Sequence, residues 1–280
     1  MINLRSLAAK FVILMDKIIE IVDNRSKYTK RPTNAFSLRW TKISGGPLKG
    51  CFMLLDPNSN VSWHYEMSVG KFDDFIYKEI KKLNLQNKTI WDIGAHVGYH
   101  SLAFASLMKQ GSVIAFEPNS YNIQRLKDNV KNNLQLTSKI TILKKALSNK
   151  DGFDEFVFSP EIDNGRSSGS HLREAIPPRN AEVYGRFKRK KIRVYKIDSI
   201  IKDKKIPIPV VIKIDVEGGE YLVLQGAKRL IKKHKPALFI EVHNITNMFY
   251  IQKLLTGLGY KIKLINEKNT TPSRGFVMAF

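Results

Sequence analysis

The sequence predicts an α/β fold, a mostly parallel sheet with helices on both faces. Three observations carry that reading. Short apolar runs alternate with longer amphipathic stretches from residue 70 onward, the pattern of repeated strand–helix–strand units. One run, Ile90-Trp91-Asp92, passes into Ile93-Gly94-Ala95-His96-Val97-Gly98, a glycine turn that opens a helix. Another, Val211-Ile212-Lys213-Ile214, spills Asp215, Glu217 and Glu220 at the start of the next helix.

The 280 residues suffice for one large α/β domain over 70–280 and a small appendage over 1–69. In the appendage, residues 1–23 alternate apolar runs with Lys10, Asp16, Lys17 and Glu20, predicting an amphipathic helix. Those charges make it too polar for a membrane span, and no small-residue cleavage site marks a signal peptide. Such a helix can pack on the domain or on a second copy of the chain. Through Arg5, Lys10 and Lys17 it can also lie on an acidic membrane surface. After a polar connector over 24–41, runs at 48–55 and 61–67 flank Asp56-Pro57-Asn58-Ser59-Asn60, which reads as a hairpin.

In the main domain, helices are expected over 72–83, 99–108, 120–132, 220–232 and 245–258. Strands are expected over 89–92, 113–116, 140–147, 210–216 and 237–242. Two more, 261–265 and 275–280, can pair as an antiparallel end, completing a seven-stranded sheet. The stretch 163–189, with Asn164-Gly165 and Pro177-Pro178, predicts a long loop between the third and fourth core strands. A loop of that length is usually functional, and it is placed to fold over a ligand.

The run ending at Phe116 is followed by Glu117-Pro118-Asn119, one strand–helix–strand unit after Asp92. A right-handed crossover sets Glu117 beside the glycine loop, where its carboxylate can accept both ribose hydroxyls of an adenosyl cofactor. Neither the Gly-x-Gly-x-x-Gly of a dinucleotide site nor the Gly-Lys-Ser/Thr of a P-loop is present, so no pyrophosphate grip is visible. Acids at both strand ends suit a cationic cofactor, S-adenosylmethionine.

Asp92-Ile93-Gly94-Ala95-His96-Val97-Gly98, Phe116-Glu117-Pro118, Ala146-Leu147-Ser148 and Asp215-Val216-Glu217-Gly218 together resemble the FkbM family of S-adenosylmethionine-dependent methyltransferases. Leu222 to Ala227 and Phe239-Ile240-Glu241 continue the likeness, which spans residues 70–260. The resemblance implies a Rossmann-like class I methyltransferase fold and O-methylation of a sugar hydroxyl in a glycan, glycolipid or secondary metabolite. Cofactor contacts are then expected from Asp92, Gly94, Ala95, Gly98, Ser101, Glu117, Pro118, Asn119 and Asp215. Ser148 joins them beside the adenine on the strength of the resemblance alone. His96 departs from the family, which often carries Asn there.

Methyl transfer is an in-line displacement, accelerated by positioning, and a hydroxyl acceptor also needs a base or a metal. Asp215, Glu217, Glu241 and His243 follow strand ends, where an open α/β sheet binds its ligands. They are the catalytic candidates. Glu217 leads; His243 is a second base, and Glu241 could share a divalent ion with Asp215. Glu220 reads as structural, because acids favour the first turn of any helix.

One cysteine, Cys51, excludes an intrachain disulfide and a thiolate metal cluster, and fits a reducing, cytoplasmic compartment. A net charge of +22, densest over 186–196, points to an anionic partner: an acidic or membrane-linked glycan, or nucleic acid. That charge keeps RNA methylation open as an alternative. A membrane-peripheral or scaffold protein on a retired methyltransferase fold is the non-enzymatic one.

Overall fold

A computed structural model describes residues 38–58, 62–158, 170–175, 188–203, 206–265 and 274–280. The chain divides into two compact units, 1–34 and 35–280. The expected N-terminal helix, and with it any membrane contact, lies outside the described residues. So does most of the expected loop over 163–189. No described helix is long and apolar enough to cross a membrane.

The main sheet has seven strands: β3 (Lys88–Ile93), β4 (Gly111–Phe116), β5 (Ile140–Leu143), β10 (Val211–Ile214), β11 (Ala237–Val242), β12 (Ile262–Leu264) and β13 (Gly275–Ala279). Their spatial order is β12-β13-β11-β10-β3-β4-β5. The five strands from β11 to β5 pair in parallel, and β13 runs antiparallel to both of its neighbours, which gives the expected antiparallel end. Alternate residues feed two cores, one on each face. Val113 and Ala115 enter one, Ile114 and Phe116 the other. The order reverses between β3 and β10, the switch point where such sheets open a ligand crevice.

The expected hairpin is real but has a different partner. β1 (Arg39–Lys42) pairs antiparallel with β2 (Phe52–Leu55), whereas Ser62–Val69 is a helix. Its buried positions His64, Met67 and Ser68 follow helical spacing, and His64 Nδ1 accepts the Asp56 N–H at 2.7 Å. Leu48, Met53 and Leu55 join the core beneath the main sheet.

Three further corrections concern the main domain. The expected strand 140–147 breaks after β5, and Ala146–Leu147 (β6) starts a separate sheet. That sheet, in order β6-β9-β7-β8, adds β7 (Gly152–Phe158), β8 (His171–Leu172) and β9 (Lys188–Tyr195). None of these three was expected. The basic run is thus largely a strand paired antiparallel with β7. The expected helix 220–232 divides into Glu220–Gln225 and Lys228–His234. The break falls where Gly226 crosses the Ser148 carbonyl so closely that a Cβ would lie 2.0 Å from its oxygen.

Candidate active site

Two loops meet at the switch point. Gly94, at φ 79°, passes under the end of β10, where a Cβ would lie 1.7 Å from the Asp215 carbonyl oxygen. Only glycine permits both the conformation and the approach. Gly94 and Ala95 donate their N–H groups to the Phe116 carbonyl, each at 3.0 Å, and His96 N donates to Glu117 Oε2 at 2.9 Å. His96 has φ 49°, a left-handed position that asparagine tolerates well and histidine also adopts.

Glu117 accepts two more hydrogen bonds on Oε1, from Asn119 N at 2.8 Å and Asn122 Nδ2 at 3.3 Å. Burial lifts its carboxyl to about 7 against the pull of those donors. Behind the loop, Ser101 Oγ donates to Asp92 Oδ2 at 2.6 Å, with both side chains fully buried. That bond ties the first turn of the helix Tyr99–Leu107 to the end of β3.

The second group of residues is charged. Lys213 is buried within β10, directly beside Asp92 in the sheet register. Its Nζ lies 3.0 Å from Asp215 Oδ2 and 3.7 Å from Asp92 Oδ1. Burial opposes the lysine charge, but Asp215 and Asp92 raise its pKa above the usual lysine range. Burial would lift the Asp215 carboxyl too, yet Lys213 and His243 hold it well below the ordinary carboxylate range.

His243 sits among carboxylates. Nδ1 donates to Glu220 Oε1 at 2.9 Å; Nε2 lies 3.3 Å from Glu241, 3.4 Å from Glu217 and 3.7 Å from Asp215. Burial works against its charge, but Glu217, Glu220 and Glu241 keep the imidazole protonated well above its usual range. Arg274 Nε donates to Glu241 Oε1. Glu217, at φ 54°, has its carboxyl lifted by burial to about 7, against the pull of His243. Glu220 is fully buried and also accepts from Gly218 N and Asn247 Nδ2, which ties the loop after β10 to the helix starting at Ile245.

These groups open on one cavity of about 430 Å³. Of the candidate cofactor residues, Gly94, Ala95, Glu117, Pro118 and Asp215 line it. The other catalytic candidates, Glu217, Glu241 and His243, line it as well. Asp92, Gly98, Ser101, Asn119 and Ser148 stand behind that lining. Asn119 caps the helix Ser120–Lys131 through Tyr121 N, and Ser148 N donates to Tyr195 O. Sequence reasoning missed Lys213, although a lysine inside an apolar parallel strand was itself a signal. It also missed Arg274, Lys145 and the wall formed by Trp63, Glu66 and Asp73, which carry no local signature.

Asp215, Glu241 and His243 each offer an atom within 4.8 Å of the others, close enough to surround a cation. Each already has a positive charge to serve: Lys213 on Asp215, Arg274 on Glu241, and the proton on His243 itself. A divalent ion at these atoms would have to displace Lys213, Arg274 and the His243 proton. An adenosyl sulfonium does fit the cavity, which combines the Glu117 carboxylate, the close-packed glycine turn and apolar walls at Phe116, Leu147 and Phe156.

The profile of the methyltransferase FkbM domain matches residues 92–262. Hexuronic acid methyltransferase AglP of Haloferax volcanii is 26% identical over 171 residues, covering 61% of this chain and 62% of that protein. The methyltransferase FkbM of Methylobacillus flagellatus KT aligns with a TM-score of 0.50 and 22% identity, covering 71% of this chain and 45% of that one. A precorrin-6Y C5,15-methyltransferase from Geobacter metallireducens GS-15 aligns at 0.47 and 13%, covering 76% and 89%. The fold is that of class I methyltransferases.

Proposed function

This chain belongs to the FkbM methyltransferase family, and on that premise we propose that it methylates a sugar hydroxyl using S-adenosylmethionine. The observation that carries the reading is one cavity holding both Glu117, fixed beside the glycine turn, and a half-buried Glu217 next to His243. The likeness to a hexuronic acid methyltransferase favours a sugar, and an acidic one, as acceptor.

When bound, S-adenosylmethionine supplies an electrophilic methyl group. Glu117 would receive the ribose hydroxyls, since an ionised carboxylate accepts two donors at once. The ammonium of the cofactor would find Asp215, which Lys213 keeps ionised. Glu217 is assigned the base: its pKa of about 7 lets it be ionised at rest and still take a proton from the acceptor hydroxyl. His243, already protonated, serves as the fixed positive charge beside Glu241 and helps keep Asp215 ionised near the acceptor. Asp92 and Ser101 act one layer back by holding the loop.

Calorimetric titration with S-adenosylmethionine and S-adenosylhomocysteine tests the cofactor assignment. Transfer of labelled methyl to glucuronides and neutral glycosides tests the acceptor. Micromolar binding with transfer to a sugar is the expected result; a folded protein that binds neither cofactor form overturns the proposal.

A further inference from the structure

The cavity extends past the matched residues 92–262 into a part of the chain that the family profile does not cover. There Trp63, Glu66, Phe72 and Asp73 form a wall, completed by Tyr99. The Tyr99 side chain is 1% exposed, and its hydroxyl has no hydrogen-bond partner among the described residues. Buried hydroxyls almost always have a partner, so an unpartnered one on a residue that lines the cavity marks a place where a ligand group or water belongs.

Asp73 is set there deliberately by its surroundings. It takes φ 47°, a left-handed conformation uncommon outside glycine, although aspartate is among the residues that tolerate it. A buried chain holds it in place. Tyr77, whose phenol burial keeps protonated, donates its hydroxyl to His100 Nδ1 at 2.7 Å, which leaves Nε2–H to face Asp73 Oδ2 at 3.3 Å. Phe72 meets Tyr99 edge to face, with ring centroids 5.5 Å apart. Arg125 sits over Trp63, 5.9 Å from its centroid, and steadies that ring from outside the cavity wall. The Glu66 carboxylate makes no ion pair among the described residues.

Aromatic faces beside two carboxylates and an unspent hydroxyl suit one ligand chemistry. A pyranose presents apolar C–H faces to rings, and its vicinal hydroxyls donate to carboxylates while accepting from a phenol. We propose that Trp63, Glu66, Phe72, Asp73 and Tyr99 form a pyranose subsite that holds the acceptor. This deepens the sugar-methylation reading and rests on it for the identity of the reaction, but the binding itself can be read independently.

The test titrates the full chain with methyl glucoside, methyl galactoside and methyl glucuronide, with and without saturating S-adenosylhomocysteine, followed by ligand-observed NMR. At least one probe should bind the wild type, and Glu66→Gln and Tyr99→Phe should each weaken it about tenfold. Tyr99→Phe removes a hydroxyl that bonds to nothing in the described structure, so its melting temperature should match that of the wild type. S-adenosylhomocysteine affinity should be unchanged in both variants. No probe bound by the wild type, or probe affinity unmoved in both variants, overturns the subsite. Loss of S-adenosylhomocysteine affinity in step with the sugar also overturns it, assigning the carboxylates to the ammonium of the cofactor instead. A wild type that binds sugar but no S-adenosylhomocysteine would sink the cofactor assignment and leave the subsite standing.

Discussion

Replacing Lys213 by methionine is the most searching perturbation of this site, because it keeps the volume and removes the charge. At an effective dielectric of about 20, unit charges about 3 Å apart attract by roughly 5 kcal/mol, and at nearly 4 Å by a little over 4 kcal/mol. Those are the Lys213 distances to Asp215 and Asp92. Removing the lysine also relieves its own burial cost, so the net loss should approach the ~3–5 kcal/mol typical of breaking a buried ion pair. For a domain of this size that lowers the melting temperature by on the order of 10 °C.

The pH dependence is diagnostic. The raised Lys213 pKa gives stability that is fully present below the unfolded lysine pKa and is lost only as pH climbs through the still higher folded value. The depressed Asp215 carboxyl gives stability present above the ordinary carboxylate pKa and lost as pH falls through its lower folded value. In Lys213→Met, Asp215 loses its nearest cation and takes a proton more readily. The gap from wild type should therefore be widest at neutral and alkaline pH and narrow toward pH 5. Urea melts followed by circular dichroism across that range would measure it. A loss under about 1 kcal/mol, well below the range for a broken buried pair, would refute the charge-pair account. A gap independent of pH would do the same.

Three other outcomes are expected. Glu117→Ala should weaken S-adenosylhomocysteine binding at least about tenfold by calorimetry, since the variant removes a charged acceptor of two hydroxyls. In the wild type that affinity should rise between pH 6 and 8, because the Glu117 carboxyl, pushed up to about 7, must ionise to accept those hydroxyls. The stability of the unliganded protein should move the opposite way: a raised carboxyl pKa gives stability that is lost as pH rises through about 7. Glu217→Gln should abolish transfer in a labelled-methyl assay while cofactor affinity holds; full turnover would remove Glu217 from the mechanism. Ser101→Ala should cost about 1–3 kcal/mol in urea melts by stripping a donor from the buried Asp92 carboxylate. An unchanged midpoint would show that the loop does not depend on that bond.

Much of the site was legible because its residues lie at the junctions of strongly patterned elements. Asp92, Gly94 and Glu117 follow strand ends whose apolar alternation is unambiguous, and the acids from Asp215 to Glu220 stand out against the apolar run before them. The elements that were misread are those whose state depends on distant partners. Residues 61–67 can be patterned as a strand, but His64 and Met67 fold inward from a helix because Asp56 and the core beneath the main sheet receive them. β7 and β9 hold each other as an antiparallel pair, and the charges of β9 hid its extended backbone behind the look of a solvated run.

The sequence by itself determined the order of strands and helices, the glycine turn and the placement of acids at strand ends. Those features are written in periodicity and in the steric demands of single residues. Which charges neutralise one another was a tertiary decision. Lys213 meets Asp92 only through the register of β3 with β10, and Arg274 meets Glu241 because β13 lies antiparallel beside β11. The same holds for the wall of Trp63, Glu66 and Asp73. Its residues are distant in sequence from β10 and β11 and share a cavity with them only after the helix Ser62–Val69 packs on the domain core. Coulombic and hydrogen-bond energies depend on separations in space of a few ångströms, which no local pattern encodes.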